Sequence, residues 1–319
     1  MTRAARRGAG KPAAQHAVDG VLLFDKPAGI TSHTAVQRVR RLMSARKAGH
    51  TGTLDPLAMG LLPVCLGEAT KFSHVLLDAD KTYLATIRLG VTTTTGDLEG
   101  AVTGQAAVEA NETQARAVLG RFIGEILQVP PMYSAIKHGG RPLYKLARAG
   151  QDLPRAPRRI LIRDLTLIRF APPELELSIT CSKGTYVRVL AEDIGRELGC
   201  GGCLAGLRRT AVGGFSAANG LVTLEQLEAL GPAERIALLL PADALLTTLP
   251  RLDLDAGESE RLQRGQAVER PGQRTPGLAR IYGPKGEFLG MAEVVEAGRI
   301  VPQRLRSQPA AAEAGAGIG

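Results

Sequence analysis

Between Lys47 and Glu68 the chain runs AGHTGTLDPLAMGLLPVCLG, twenty residues in which Asp55 is the only formal charge. An ionised carboxylate set among Leu, Pro, Met and Ala loses its hydration and must find a cation or shed its charge. Any fold of this chain therefore has to bring a partner to Asp55. One reading is modest: Asp followed by Pro opens a turn, and the carboxylate accepts a nearby backbone N–H. The other is chemical. Gly49, Gly52 and Gly60 let backbone approach a ligand closely, while His50, Thr51 and Thr53 place small polar groups beside the acid. His50 by itself reads as a structural histidine.

Charge points to a partner. The chain carries 40 Lys and Arg against 31 Asp and Glu, a net +9, and the excess is concentrated. Nine Lys or Arg lie between Lys137 and Arg169, opposed only by Asp152 and Asp164, and Arg38, Arg40, Arg41, Arg46 and Lys47 fall within eleven residues without an acid. Solvated helix faces account for some basic runs, but two dense ones fit a polyanion better, and nucleic acid is the obvious candidate. Neither run is paired with a broad apolar or aromatic face, so a membrane surface fits less well.

At 319 residues the length suggests one large domain and a smaller one. Hydrophobic residues make up 44%, enough for a real core, yet aromatics are 3% and Trp is absent, so that core is built from Leu, Val, Ile and Ala. No apolar run approaches the roughly 20 residues that cross a bilayer. The basic N-terminus MTRAARRGAGKPAAQ lacks an apolar signal core, and a cytoplasmic protein is expected. Cys65, Cys181, Cys200 and Cys203 are too few and scattered for a disulfide framework. Cys200 and Cys203 form a C-x-x-C, but His138 and Cys181 supply no second ligand pair for zinc.

VLLFDKP reads as a buried strand, followed by a helix capped by Thr31 or Ser32 with Val36, Val39, Leu42 and Met43 inward. LLPVCLG is a second strand, EATKFSHVLLDA a short helix with Phe72, Val75 and Leu76 inward, and TYLATIRLG a further strand before the TTTTGDLEG turn. An amphipathic helix is expected over 112–127, around Ala115, Val118, Leu119, Phe122 and Ile126. ELELSITCS and TYVRVLAEDIGREL follow as strand and helix, and 131–160 is a long basic loop of the kind that binds something. After Pro250, LDLDAGESERLQRG reads as strand and helix. LARIYGPKGEFLGMAEVVEAGRIVPQRLR then reads as three strands joined at 283–286 and 296–298, a unit that looks self-contained. Residues 1–19 and 308–319 read as disordered tails.

Several runs share a pattern: GVLLFDKPAGITSH from Gly20, AGHTGTLDPLAMGLLPVCLGEATKF from Ala48, KTYLATIRLG from Lys81, VPPMYSAIKHGGRPLYKLARAG from Val129, CSKGTYVRVLAEDIG from Cys181 and LRRTAVGGF from Leu207. In this order they resemble the TruB family, the bacterial synthases of pseudouridine-55 in tRNA, where 55 is a nucleotide position unrelated to residue 55 here. The resemblance implies an α+β fold: a central mixed, largely antiparallel sheet flanked by helices, followed by a small PUA-like β-barrel. The implied division is a catalytic domain at 20–248, with an insertion at 131–160 that closes over the T arm of tRNA, and an RNA-binding domain at 249–307. It also makes 200–203 a glycine-rich connection with small buried thiols.

The implied reaction breaks the N1–C1′ bond of a uridine, turns the uracil and joins C5 to C1′. No atom is gained or lost, so neither cofactor nor metal is needed. What it needs is a carboxylate near the sugar, an enclosed pocket and a flipped base. By resemblance Asp55 is the carboxylate, Tyr83 stacks on the base and helps to move the C5 proton, and Arg188 is the cation paired with Asp55. Tyr186 lines the pocket from the same strand face, His50 fills the T loop when the base leaves it, and Leu207 is an apolar wall. Lys26 positions Asp55 or meets backbone phosphate, and Lys137, Arg141, Lys145 and Arg148 clamp phosphates. The partner is tRNA, with no obligate protein partner and a monomer by family precedent. A non-catalytic RNA-binding or RNA-folding protein and an N-glycoside hydrolase remain the alternatives.

Overall fold

A computed structural model of the protein describes residues 18–134, 136–272 and 276–307, without the side chains at 138, 148 and 297. The expected tails at 1–17 and 308–319 lie outside the described residues. Val18 and Asp19 do not belong to a tail: Val18 is buried, and the Asp19 carboxylate accepts the Glu68 N–H at 2.9 Å.

The chain opens with β1 (Gly20–Lys26), α1 (Ser32–Leu42), β2 (Ala48–His50) and β3 (Met59–Leu66), followed by a 3-10 helix over Gly67–Leu77. The next elements are β4 (Lys81–Leu89), the hairpin β5 (Val91–Thr93) and β6 (Val102–Gln105), α2 (Glu112–Gly120) and β7 (Gly124–Gln128). The insertion holds a small hairpin, β8 (Lys137–His138) and β9 (Arg141–Pro142), and α3 (Leu143–Arg148). Then come β10 (Arg158–Ala171), β11 (Glu174–Cys181), α4 (Val187–Glu197), β12 (Gly202–Val212) and β13 (Phe215–Ser216), with α5 (Leu224–Ala229) and α6 (Pro232–Ala237) behind them. The last part contains β14 (Arg251–Asp253), α7 (Ala256–Gln263), β15 (Val268–Glu269), β16 (Gly277–Tyr282), β17 (Phe288–Val294) and β18 (Arg299–Leu305).

The main sheet runs β1-β3-β12-β4-β11-β10-β7, with β2 on β3 and β13 on β12. Its pairings are antiparallel except β3 with β12. Pro63 sits inside β3 although it has no N–H to donate. On its free edge it falls between the β12 contact, which ends at Gly60, and the β2 contact, which starts at Val64, so no bond is lost there. Gly60 has φ +98, and a Cβ there would meet the Arg209 carbonyl at 2.4 Å, so only glycine fits this crossing. One face of the sheet packs Tyr83, Ala85, Ile87, Leu177 and Ile179 against α1, α2 and α4. The opposite face of β1 and β3 packs Val21, Leu23, Leu61 and Cys65 against Phe72 and Leu76 of the 3-10 helix.

Two expectations fail on tertiary grounds. The helix expected over 112–127 stops at Gly120, and Gly124, with φ +104, turns the chain into β7, which pairs with Arg158–Ile162 of β10. Sheet pairing at this edge overrides the helical spacing of Phe122 and Ile126. The fourteen-residue strand β10 had no clear signature, because bulges at Ile162/Asp164 and Leu167/Arg169 break its alternation. It also changes the meaning of the basic run. Arg159 pairs with Glu125, Arg163 with Asp80, and Arg169 with Glu174 and Glu176. Those charges serve the sheet, while Lys137, Arg141 and Lys145 on the insertion stay exposed.

The C-terminal sheet runs β14-β16-β17-β18-β15, and the three strands expected at 277–305 are present with both joining turns. It encloses its own small core, including Leu252, Leu262, Ile281, Ala292 and Ile300. It is not self-contained. Tyr282, Phe288 and Met291 pack into the same cluster as Phe72, Leu76, Leu245 and Leu246, with the rings of Phe72 and Phe288 5.3 Å apart. Tyr282 donates its hydroxyl proton to Asp243, and Lys71 donates to Glu68, to the Leu305 carbonyl and to Ser307. No helix among the described residues is long and apolar enough to cross a membrane.

Candidate active site

The loop that carries Asp55 is held by its backbone. Ser32, in the first turn of α1, is 2% exposed; its hydroxyl donates to the Leu54 carbonyl at 2.9 Å and accepts the Leu54 N–H at 2.8 Å. Lys26, at the end of β1, is fully buried, and its ammonium donates to the carbonyls of Pro27, Pro56 and Ala58 at 2.9, 3.4 and 2.6 Å. The Gly29 N–H also donates to Pro56, and the Ala58 N–H closes the turn on the Asp55 carbonyl. An ammonium has three protons and here three acceptors. Of the two roles the sequence left to Lys26, this geometry serves the positioning of Asp55 and leaves no donor for phosphate. Burial pushes the Lys26 amine down to about 8, against the attraction of Asp55 and Glu99.

Arg188 reaches Asp55 from a helix, not from a strand. Tyr186 is the N-cap of α4 and Arg188 lies in its first turn, so the two do not share a strand face. The physical reason is that Gly184, with φ +82, ends the extended run after β11 and lets the helix start three residues later, at Val187. Nε of Arg188 donates to Asp55 Oδ2 at 2.9 Å, Nη1 to the Thr95 carbonyl at 3.0 Å and Nη2 to the Tyr133 carbonyl at 2.8 Å. Nε also lies 3.6 Å from Asp97 Oδ2. The Asp97 side chain is 6% exposed and that of Asp55 41%, so one buried guanidinium serves two carboxylates of which Asp55 faces the open side. Asp55 Oδ1 accepts no hydrogen bond from any described residue. The cation required by the apolar setting of Asp55 is therefore present, and one carboxylate oxygen is left for chemistry.

Tyr83 is buried on β4, directly across from Arg209 of β12. Arg209 is 1% exposed; Nε donates to the Leu61 carbonyl at 2.8 Å and Nη2 to the Gly52 carbonyl at 3.1 Å, with the guanidinium against the Tyr83 phenol. Burial pushes the phenol up and the guanidinium down, and each partly offsets the other's shift. His50 accepts the Gly52 N–H on Nδ1 at 3.2 Å. Burial and then Arg209 lower its pKa, which favours the neutral imidazole with the proton on Nε2. The phenol of Tyr186 is pushed up by burial and feels Asp55 as well as Arg188. Lys26, Tyr83, Tyr186 and Arg188 thus all lie within the electrostatic reach of Asp55. Leu207 stands apart, lining a groove of about 500 Å³ with Ala28, Leu57 and Met59 on the flank of the same loop.

Three site residues escaped the sequence. The sequence marks Ser32 only as a candidate cap, and Asp97 only as part of a turn. Arg209 had a signal: it lies two residues after Leu207 on a strand, and so shares its inward face. On the insertion, Lys137, Arg141 and Lys145 are exposed, and the Arg148 side chain lies outside the described residues. Arg38, Arg41, Arg46 and Lys47 on and after α1 are exposed as well. The cysteines are buried thiols, with Cys65 pushed up to about 12 and Cys181 to about 11 by burial. A cavity of about 1000 Å³ opens between Val129–Tyr133, Gly150–Asp152 and the outer side of α4, but Asp55 does not line it.

Comparison with known proteins places the chain as a whole. Residues 40–187 match the TruB family pseudouridylate synthase N-terminal domain, 188–247 the tRNA pseudouridylate synthase B C-terminal domain and 250–305 the pseudouridine synthase II TruB C-terminal region. The chain is 53% identical over 291 residues to tRNA pseudouridine synthase B of Methylobacillus flagellatus, covering 91% of this chain and 96% of that one. It is 55% identical over 295 residues to the protein of that name from Thiobacillus denitrificans, covering 92% and 98%. Among solved structures it is similar to a chain of a Cbf5-Nop10-Gar1 complex, with a TM-score of 0.69 and 25% identity over 93% of this chain and 87% of that chain. The family models cover nearly all of residues 40–305 and the relatives match over most of the chain: the chain belongs to the TruB family of pseudouridylate synthases.

Proposed function

We propose that this protein isomerises uridine to pseudouridine at position 55 of the T loop of tRNA, with Asp55 as the catalytic carboxylate. The observation that carries the reading is the asymmetry of that carboxylate: Oδ2 is held by Arg188, while among the described residues Oδ1 accepts no hydrogen bond and the side chain is 41% exposed. Its relatives named tRNA pseudouridine synthase B support the tRNA substrate. The target uridine enters flipped out of its loop, with its base against Tyr83 and Tyr186. Asp55 acts at the sugar or base while the N1–C1′ bond breaks. The detached uracil turns within the enclosure, the C5–C1′ bond forms, and the proton lost from C5 is balanced by one gained at N1.

Lys137, Arg141, Lys145 and Arg148 hold phosphates of the T arm from the insertion, and the PUA-like C-terminal sheet adds contacts to the rest of the tRNA. These placements rest on exposed charge at three of the four residues and on the family resemblance. The test is mass spectrometry of ribonuclease fragments of treated tRNA, before and after carbodiimide labelling. Pseudouridine at one T-loop position with no change of mass supports the reading. Free uracil would make the protein a hydrolase, and unmodified RNA would make it a binding protein.

A further inference from the structure

Gln128 closes β7 on the outer edge of the main sheet and is 3% exposed. Its Nε2 donates to the Tyr186 carbonyl at 3.1 Å, and its Oε1 accepts the Tyr186 N–H at 2.8 Å. The side-chain amide pairs with both backbone groups of one residue as a neighbouring strand would. Tyr186 is the N-cap of α4, and no side-chain bond of its own caps that helix. The start of α4 is therefore fixed from outside, through Gln128, and Arg188 lies in the turn that follows. Five residues beyond Gln128 the same segment supplies the Tyr133 carbonyl that accepts from Arg188 Nη2. One short stretch at the root of the basic insertion thus holds both the backbone and the guanidinium of the Asp55 partner.

We propose that Gln128 is a positioning residue for uridine isomerisation: it sets the first turn of α4 so that Arg188 meets Asp55. The proposal rests on the function proposed above. Arg188 must satisfy Asp55, Thr95 and Tyr133 together at 2.9, 3.0 and 2.8 Å, three fixed acceptors in three directions. A small shift of the helix start cannot be absorbed by all of them, and a displacement of about 1 Å at a catalytic group can cost about a hundredfold in rate. The amide is specific. Glu at 128 still accepts the Tyr186 N–H but sets an acceptor against its carbonyl, and Leu leaves both groups unpaired.

The experiment measures single-turnover release of tritium from C5-labelled uridine in a T-arm RNA, with the full chain, together with RNA affinity. Gln128→Leu and Gln128→Glu are compared in the parent and in the Arg188→Met background. Gln128→Leu should lower the rate at least about tenfold and Gln128→Glu by less, with affinities within about twofold of the parent. In the Arg188→Met background either change should cost less than about twofold, because contacts that act through one partner do not add. A parental rate in Gln128→Leu overturns the proposal. So does an equal fold loss in both backgrounds, which would make Gln128 a general support of the fold or of Tyr186. If Gln128→Leu fails to fold, Gln128→Glu, of the same shape, carries the comparison. An inactive parent, or a fully active Asp55→Asn measured alongside, overturns the proposed function instead.

Discussion

At the residue scale the site is a problem in placing charge where water is scarce. Asp55 is ion-paired with Arg188, and the loop beneath it is tied to a buried ammonium. In the proposed reaction Asp55→Asn removes the reacting oxygen but leaves the phosphate contacts that would set affinity. Pseudouridine formation should fall at least about a hundredfold, the usual cost of losing such a group, while tRNA affinity stays within several-fold. A variant turning over at more than about a tenth of the parental rate, measured by the tritium assay, would remove Asp55 from its role. Lys26 gives a prediction in pH. Its amine is pushed from 10.5 down to about 8 by burial, so between those values the unfolded chain holds a proton that the folded chain has released. Stability therefore rises with pH across that window and is flat below it. Lys81, also lowered to about 8, acts in the same direction, whereas Cys65 and Cys181, raised from 9.0 to about 12 and about 11, act against it as pH approaches and passes 9. Urea midpoints at pH 8 and 9 should show a gain for the parent and a clearly smaller gain for Lys26→Met. Equal gains would mean that Lys26 does not lose its proton in that interval.

Among the elements, the insertion and β10 divide the basic run between them. Arg155, Arg159, Arg163 and Arg169 already have carboxylate partners, so replacing them should disturb the sheet or its edges more than RNA binding. Lys137, Arg141 and Lys145 are exposed on the hairpin and on α3, free to meet a polyanion. Replacing these three and Arg148 with Ala should weaken tRNA binding, and each lost phosphate contact should reduce the slope of log K against log salt by somewhat under about one unit. A salt titration with an unchanged slope would assign the charges to ordinary solvated surface. The edge strand β7 joins the two regions, since it pairs with β10 on one side and delivers Gln128 and the insertion on the other.

For the whole molecule, the C-terminal sheet has two attachments to the larger one: an apolar cluster and a set of polar links at Lys71 and Asp243. Burying a side chain the size of Phe or Met contributes ~1.5–3 kcal/mol, so losing Tyr282, Phe288 and Met291 removes several kcal/mol. Small proteins have only about 5–15 kcal/mol in total. Truncation after Pro250, which the self-contained look of the tail would make harmless, should therefore expose Phe72, Leu76 and Leu246, lower the melting temperature markedly and promote aggregation. Calorimetry and light scattering on the truncated chain decide it. A truncated protein as stable as the parent would mean that the shared cluster contributes little.

What the sequence by itself determined was local. The strand at 20–26, the helix capped at Thr31, the strand at 81–89 and the three strands at 277–305 follow from alternation, capping and turn residues, which are properties of neighbouring positions. The need for a cation at Asp55 was legible for the same reason, since an uncharged stretch cannot hide a carboxylate alone, and the resemblance named Arg188 as that cation. Only the tertiary structure decided how the need is met. That Arg188 comes from a helix start held by Gln128, that Lys26 turns its ammonium to carbonyls, and that Arg209 lies buried against Tyr83 all depend on pairings between elements 30 to more than 130 residues apart. The same holds for β7 and β10, where sheet pairing and bulges outweigh local spacing. Contacts of that range leave no periodic trace in a sequence, because the partner is chosen by the packing of the whole sheet and not by the residues beside it.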